Sequence, residues 1–118
     1  MCVSIYIYNL IHHIIEVKYV SLGCWKDQSQ LGRAITTLEG TSPILNGDYR
    51  SRSDAIEKCY EVALSREYIV FALQNGGWCV GSADAESTYK KYGPSSDCVH
   101  RGKGGFGANE VYKIQRKY

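Results

Sequence analysis

The chain has 118 residues, which is enough for one domain, and its 14 basic and 12 acidic residues give a formal net charge of +2. This near balance argues against nucleic acid or an anionic membrane surface as the partner. The hydrophobic fraction of 44% is ordinary for a globular protein and argues against a disordered chain.

Residues 1–18 form an apolar N-terminal segment that we expect to lie outside the folded module. No basic region precedes the apolar run, Asn9, His12 and His13 interrupt it, and no small-residue cleavage signal follows. The segment is too short and too polar to span a bilayer. It is either a degenerate signal peptide or an artefact of the assigned gene start, and we favour the second. The module is expected over residues 19–115, followed by a basic tail at 116–118.

The first half of the module is predicted to contain one strand, a long loop and one helix. Tyr19–Trp25 alternates apolar and small residues, as a strand does. The glycine-containing stretch that follows predicts a loop with a short extended piece at Ala34–Leu38. Residues 51–68 repeat apolar side chains at helical spacing, and Ser51 or Ser53 can cap this helix.

The second half is predicted to contain a hairpin and a closing strand. The apolar run Tyr68–Leu73 predicts a buried strand, Asn75-Gly76-Gly77 a tight turn, and Trp78-Cys79-Val80 the returning strand. One helical turn is expected within residues 83–89. The glycine-rich stretch 102–107 is expected to be a flexible loop, and Glu110–Gln115 alternates like a strand.

The cysteine pattern predicts an oxidised domain held by disulfides. Four of the five cysteines are spread through the module, namely Cys24, Cys59, Cys79 and Cys98, and Cys2 is the odd one out. None forms a C-x-x-C pair, so a structural zinc site is not expected. Two long-range disulfides in an oxidising compartment suit this spacing. Four cysteines allow three connectivities, and the spacing alone does not choose among them.

The predicted elements favour one of these connectivities. Cys59 is central in the apolar stripe of the only clear helix, and Cys79 lies in an apolar strand soon after it. A bond between them would pin the helix to the sheet, and Cys24 with Cys98 would then tie the first strand to the C-terminal loop region. Because side chains alternate along a strand, Trp78 would point to the opposite sheet face. One helix cannot cover both faces, so we expect Trp78 to be only partly covered, by loops such as 89–96 or 102–107.

An ordered set of short motifs runs through the module, namely Gly23-Cys24-Trp25, Arg33-Ala34-Ile35, Cys59, Phe71–Cys79, Tyr92-Gly93, Cys98, Gly104-Gly105 and Asn109–Tyr112. This set resembles the WSC domain, a small extracellular module with an apple/PAN-like plan. The resemblance implies an α+β fold, with one main helix packed on a small antiparallel sheet, and the four cysteines of this module add two disulfides to it. The chain lacks several cysteines that WSC domains carry, with Ala63 in the helix and Lys103 before the late glycine pair.

The same resemblance implies a non-catalytic, extracellular module that binds a glycan or polysaccharide. The alternative is an extracellular protein–protein interaction module of a matrix or cell-surface protein. A sugar site needs flat aromatic faces and planar hydrogen-bonding groups. The candidate glycan-binding residues are Trp78, Asn75, Trp25, Tyr92, Tyr89 and Asn109, with Tyr49, Gln74 and Asp84 as further members. The structural alternative is that both tryptophans, each beside a cysteine, are core residues packed on disulfides.

No catalytic residue, metal site or cofactor is predicted. The adjacent His12 and His13 would not share a helix face, and His100 has no neighbours at ligand spacing. Asp84 and Glu86 are two residues apart and would not share a helix face either, which does not favour glycosidase chemistry. The expected partner is a glycan or a glycoprotein, with no nucleic acid and no membrane insertion.

Overall fold

Four strands form one antiparallel sheet with the order β1-β4-β2-β3. The computed structural model describes residues 18–115, so residues 1–17, with Cys2, His12 and His13, and the tail 116–118 lie outside the described part. The strands are β1 (Tyr19–Lys26), β2 (Val70–Gln74), β3 (Trp78–Gly81) and β4 (Ala108–Ile114). The helices are α1 (Ala55–Ser65) and the single turn α2 (Ala85–Thr88), with 3-10 turns at Pro43–Leu45 and Tyr49–Ser51. The predicted α+β class, one main helix on an antiparallel sheet, is confirmed.

The β2–β3 hairpin has the turn that its sequence predicts. Asn75 and Gly76 adopt positive φ angles of 52° and 95°, and the strands pair from Gln74 opposite Trp78 to Phe71 opposite Gly81. Strand β2 also pairs with β4 on its other side, so it occupies the interior of the sheet. Val70–Leu73 are buried on both faces of the sheet, which explains why they form an unbroken apolar run.

The two faces of the sheet support two small cores. Phe71, Leu73 and Cys79 face α1, where the buried helix residues Cys59 and Val62 join them. The alternate residues belong to a second buried cluster, made of Ala34, Ile35, Val70, Ala72, Val80, Ala85, Tyr89 and Val111. The helix covers only one face, as expected, and the loop before α1 and the α2 turn supply the residues that cover the other.

Helix α1 begins and ends differently from the sequence expectation. Its N-cap residue is Asp54, which has a left-handed φ of 51° and makes no side-chain capping bond, so the predicted Ser51 or Ser53 cap is wrong. Ser51 instead lies in a 3-10 turn that leads the chain toward the helix. At the other end, Glu67 has a φ of 61°, and the Tyr68 amide donates to the Ala63 carbonyl, a common way of closing a helix. Within residues 18–115, no helix is long and apolar enough to cross a membrane.

Both predicted disulfides are present. Cys59 and Cys79 have Cα atoms 5.4 Å apart and are fully buried between α1 and β3. Cys24 and Cys98 have Cα atoms 6.0 Å apart and join β1 to the loop before β4 across 74 residues of sequence. The connectivity inferred from the predicted elements is thus the one that the fold contains.

We predict that removing the Cys59–Cys79 disulfide lowers the free energy of unfolding by about 2–5 kcal/mol, because an intact bond restricts the unfolded chain. Urea unfolding of Cys59→Ala, Cys79→Ala and the double variant measures the effect. The two single losses should not add, since either substitution breaks the same bond. Additive losses would contradict the assigned pairing.

A buried ion pair holds the long loop before α1 against the hairpin. The Arg52 guanidinium donates to both carboxylate oxygens of Glu39, at 2.7 and 2.8 Å, and to the carbonyls of Leu45 and Gly77. Glu39 also accepts the backbone amide of Cys79 at 2.7 Å. The two side chains are only 2% and 13% exposed, so water does not weaken this bidentate pair.

We predict that Arg52→Met destabilises the protein by about 3–5 kcal/mol, because it leaves the Glu39 carboxylate buried without its cation. The matched control is Arg50→Met, which breaks the exposed Arg50–Asp48 pair and should cost about 0–1 kcal/mol. Thermal or urea unfolding distinguishes the two variants. Equal effects would mean that the buried pair does not hold the loop.

Candidate functional site

The glycine-rich stretch 102–107 is a fixed turn, which corrects the expectation of a flexible loop. Its carbonyls accept the backbone amides of Asn75 at 3.1 Å, Gly76 at 2.8 Å and Asp27 at 3.0 Å. Gly104 has a φ of +77°, and a Cβ there would lie 2.2 Å from the Leu73 carbonyl oxygen. The glycines therefore let the turn pack directly against the β2–β3 hairpin.

Tyr112 on β4 anchors the start of this turn. Its hydroxyl donates to the Gly102 carbonyl at 2.6 Å. Burial, followed by the nearby charge of Glu110, raises the pKa of Tyr112 to about 12. The phenol thus keeps its proton throughout the neutral pH range, and it remains the donor of the hydrogen bond to Gly102.

The fixed turn displays an aromatic ring at the edge of a polar cleft. Phe106 is 87% exposed, although it is the largest apolar side chain of the stretch. The cleft has a volume of about 370 Å³ and is lined by Asp27, Gln28, Ser29, Gln30, Arg33, Gln74, Asn75, Phe106 and Gly107. These residues supply amide, hydroxyl, guanidinium and aromatic groups. A sugar site needs an aromatic face and planar polar groups, and this lining contains both.

A buried polar chain forms the floor of the cleft. Asp27 accepts the backbone amides of Gln28 and Ala34 at 2.8 and 2.7 Å, and its second oxygen accepts the Asn109 amide at 2.8 Å. Asn109 in turn accepts a hydrogen bond from the Gln74 amide nitrogen at 2.8 Å. A carboxylate can only accept, so the charge of Asp27 determines how the Asn109 amide is oriented, and this orientation is passed to Gln74.

These hydrogen bonds leave the side-chain carbonyl oxygen of Gln74 as an oriented acceptor for a ligand. Since the amide nitrogen of Gln74 donates to Asn109, its carbonyl oxygen is the group left to accept a hydroxyl from the cleft. Asn109 itself is fully buried, so the prediction that it contacts a glycan is wrong. Its part in the site is to position Gln74.

Asn75 lines the cleft from the hairpin turn and is held by Tyr49. The Asn75 side-chain amide donates to the Tyr49 hydroxyl at 3.0 Å. The Tyr49 ring stands at 90° to the Trp78 ring, with the centroids 5.0 Å apart. Trp78 is half-buried on the sheet face away from α1, as predicted, and the Tyr49 ring from the loop region before α1 covers part of it. Its role as a ligand platform stays a prediction.

The other predicted aromatic residues lie together outside the lining of this cleft. The Trp25 indole donates to the Leu22 carbonyl at 2.9 Å and meets the Tyr89 ring edge to face at 5.3 Å. Tyr89, a glycan-binding candidate from the sequence, is only 9% exposed and belongs to the second core, which does not favour direct contact with a ligand. Tyr92 is half-buried, and its hydroxyl donates to the Gly32 carbonyl.

Several cleft residues were missed by the sequence reasoning. They are Phe106, Arg33 and the stretch Gln28–Gln30, all contributed by segments expected to be plain loops. A signal was present in Phe106, because it is the one aromatic residue of the glycine-rich stretch 102–107. The residues 27–33 offered no comparable signal, since only the tertiary fold brings them beside the hairpin.

Comparisons with known proteins do not extend the resemblance. No protein-family model matches the chain, and a search of curated proteins finds no similar sequence. The site must therefore be interpreted from its own geometry.

We predict that Asn109→Leu lowers the free energy of unfolding by about 1–3 kcal/mol, because it leaves an Asp27 oxygen without its buried donor. Gln74→Leu is the control, since Gln74 is only partly buried and its loss leaves the Asp27–Asn109 bond in place. Urea unfolding should rank Asn109→Leu as the more damaging. The reverse order would show that Asp27 does not depend on Asn109.

Proposed function

We propose that the protein is a non-catalytic glycan-binding module of an extracellular protein, and that the cleft beside Phe106 binds the sugar. The single observation that carries this proposal is an aromatic ring held 87% exposed on a fixed glycine turn. The backbone of the turn is bonded to three backbone amides, and this holds Phe106 at the edge of the cleft and outside both cores. The exposed ring thus has the character of a preformed contact surface.

The polar lining supports a sugar as the ligand. Gln74 offers an oriented carbonyl oxygen, Asn75 is held at the hairpin turn, and Gln28 and Gln30 add two further amides across the cleft. Planar amides can donate and accept at once, which suits neighbouring sugar hydroxyls. The apolar side of a pyranose ring would stack on Phe106.

The carboxylate content of the cleft supports binding rather than hydrolysis. Asp27 is the single carboxylate in its lining, and it is 5% exposed. Its oxygens already accept two backbone amides and the Asn109 side chain. Glycoside hydrolysis commonly uses a pair of carboxyl groups across the bond to be cleaved, and the cleft lining has no such pair.

The two disulfides support an extracellular setting, because such bonds persist in oxidising compartments.

Protein–protein interaction is the second candidate function. The observation that favours it is a set of exposed apolar side chains, since Leu31 and Val99 are each 73% exposed in addition to Phe106. Such side chains are also the usual anchors of a protein interface.

A paired substitution tests the proposed site. Phe106→Ala should weaken glycan binding about 2- to 12-fold, the range that aromatic stacking gives. Val99→Ala removes a comparably exposed apolar side chain that is not part of the cleft lining, and it should leave the affinity unchanged. The oxidised protein is first screened on a glycan array, and the affinities for the glycans retained are then measured by calorimetry.

The outcomes separate the two functions. Equal loss with Phe106→Ala and Val99→Ala would place the contact surface outside the cleft and overturn the proposed site. Failure to retain any glycan, together with capture of a protein that free sugar does not displace, would replace the glycan proposal with the interaction module. Unfolding curves of both variants ensure that lost binding is not lost folding.

A further inference from the structure

We infer that the glycan is acidic and that its sulfate or carboxylate groups contact a basic patch next to the cleft. The basic patch consists of Lys26, Arg33, Lys90 and Lys91, which are all exposed. The inference rests on the proposed function, because it names the class of glycan for the same cleft. It adds a second set of contacts, made by charge rather than by stacking.

The basic patch is continuous with the cleft through the loop that lines it. Arg33 belongs to both. The preceding residue, Gly32, accepts the Tyr92 hydroxyl at its carbonyl, and a Cβ on Gly32 would lie 3.6 Å from the Lys91 ammonium nitrogen. On the other side of the loop, the Lys26 amide donates to the Gly93 carbonyl at 2.9 Å. A polymer leaving the cleft at Arg33 therefore reaches the lysines within a short distance.

Aromatic rings hold two of these lysines in place. The Lys90 ammonium nitrogen is 5.6 Å from the ring centroids of both Trp25 and Tyr89, and that of Lys91 is 5.3 Å from the Tyr92 centroid. A cation over a ring face gains electrostatic stabilisation while keeping its N–H groups for another partner. The lysine heads are thus positioned before an anion arrives. This arrangement also gives the aromatic residues predicted from sequence a supporting part in the site.

The charge of the basic patch is not neutralised by ion pairs within the described residues. The ion pairs found there engage Lys18, Arg50, Arg52 and Lys113. The carboxylate nearest in sequence to Lys26 is Asp27, which is buried and occupied by its own donors, and the one nearest to Lys90 is Glu86, which pairs with Lys113 at 2.8 Å. An external anion would therefore meet cations that form no ion pair in the described part of the chain.

Four acidic residues of the described part of the chain lie on the other side of the sheet from the basic patch. Asp54, Glu57, Glu61 and Glu67 lie on or beside α1, which packs against the opposite face of the sheet from Tyr89. Asp84 and Glu86 lie beside and on α2, on the side of Tyr89, so acidic residues are present on both sides of the sheet. The cations of the basic patch, which form no ion pair within residues 18–115, favour approach of a negatively charged polymer from this side.

The experiment compares two charge-matched variants on three polymers. Lys90→Gln/Lys91→Gln removes two cations from the basic patch, and Lys18→Gln/Lys58→Gln removes two from the side of α1. Binding to dextran sulfate, polygalacturonate and neutral dextran is measured at low and physiological salt. We expect the first variant to lose affinity for an acidic polymer by about 2- to 30-fold, the range that two exposed ion pairs give, and the second to retain it.

Each outcome decides the inference. Dextran sulfate and polygalacturonate show whether sulfate or carboxylate is preferred. The inference is supported if either polymer binds in a way that depends on Lys90 and Lys91. Equal loss in both double variants, or no advantage over neutral dextran, would overturn it. Equal affinity for single-stranded DNA would also overturn it, in favour of a general polyanion surface. Glycan binding that needs Phe106 but neither lysine would leave the proposed function standing and remove only this inference.

Discussion

Most of the structure depends on how Cys79 is held at the edge of the sheet. Its sulfur is bonded to Cys59 on α1, its amide donates to the Glu39 carboxylate at 2.7 Å, and its carbonyl accepts the Leu38 amide at 2.9 Å. One residue thus joins the helix, the long loop and the sheet. An edge strand with unpaired backbone groups invites association, and these contacts occupy the groups of β3 that the sheet leaves free.

The same arrangement explains why a short chain supports two cores. Glu39 is itself held by Arg52, so the loop before α1 cannot move away from the hairpin. That loop carries Ala34 and Ile35 onto the sheet face opposite the helix, where they bury Val80 and Ala72. A disulfide, a buried ion pair and an extended segment together replace the second helix that a larger domain would use.

The candidate site follows from this framework rather than from a separate element. The hairpin turn at Asn75 and Gly76 binds the glycine turn through two backbone hydrogen bonds, and the glycine turn displays Phe106. The cleft floor is tied to β1 and β4 through Asp27 and Asn109. Stacking, amide and charged groups thus come from three loops whose backbones are each bonded to the sheet. A preformed site of this kind loses little entropy when a ligand binds.

The sequence alone was sufficient for the features that depend on local pattern. Apolar periodicity located α1 and the strands, Asn75-Gly76-Gly77 identified the hairpin, and the placement of Cys59 and Cys79 on facing elements indicated their bond. These features were predictable because hydrophobic periodicity, turn-forming residues and apolar runs are properties of residues that are neighbours in the sequence.

Only the tertiary structure decided which loop residues meet. The cleft is lined by the stretch 27–33, the hairpin turn and Phe106, which are far apart in the chain and share no periodicity. No local sequence pattern therefore predicts that they form a cleft. The burial of Asn109 and Tyr89 could not be predicted either, because a polar amide and a tyrosine near a loop are ordinarily exposed. In the structure Asn109 is bonded to the buried Asp27, and Tyr89 packs into the core on the α2 side of the sheet. Local pattern determines the elements, whereas long-range packing determines which of their side chains remain free to bind.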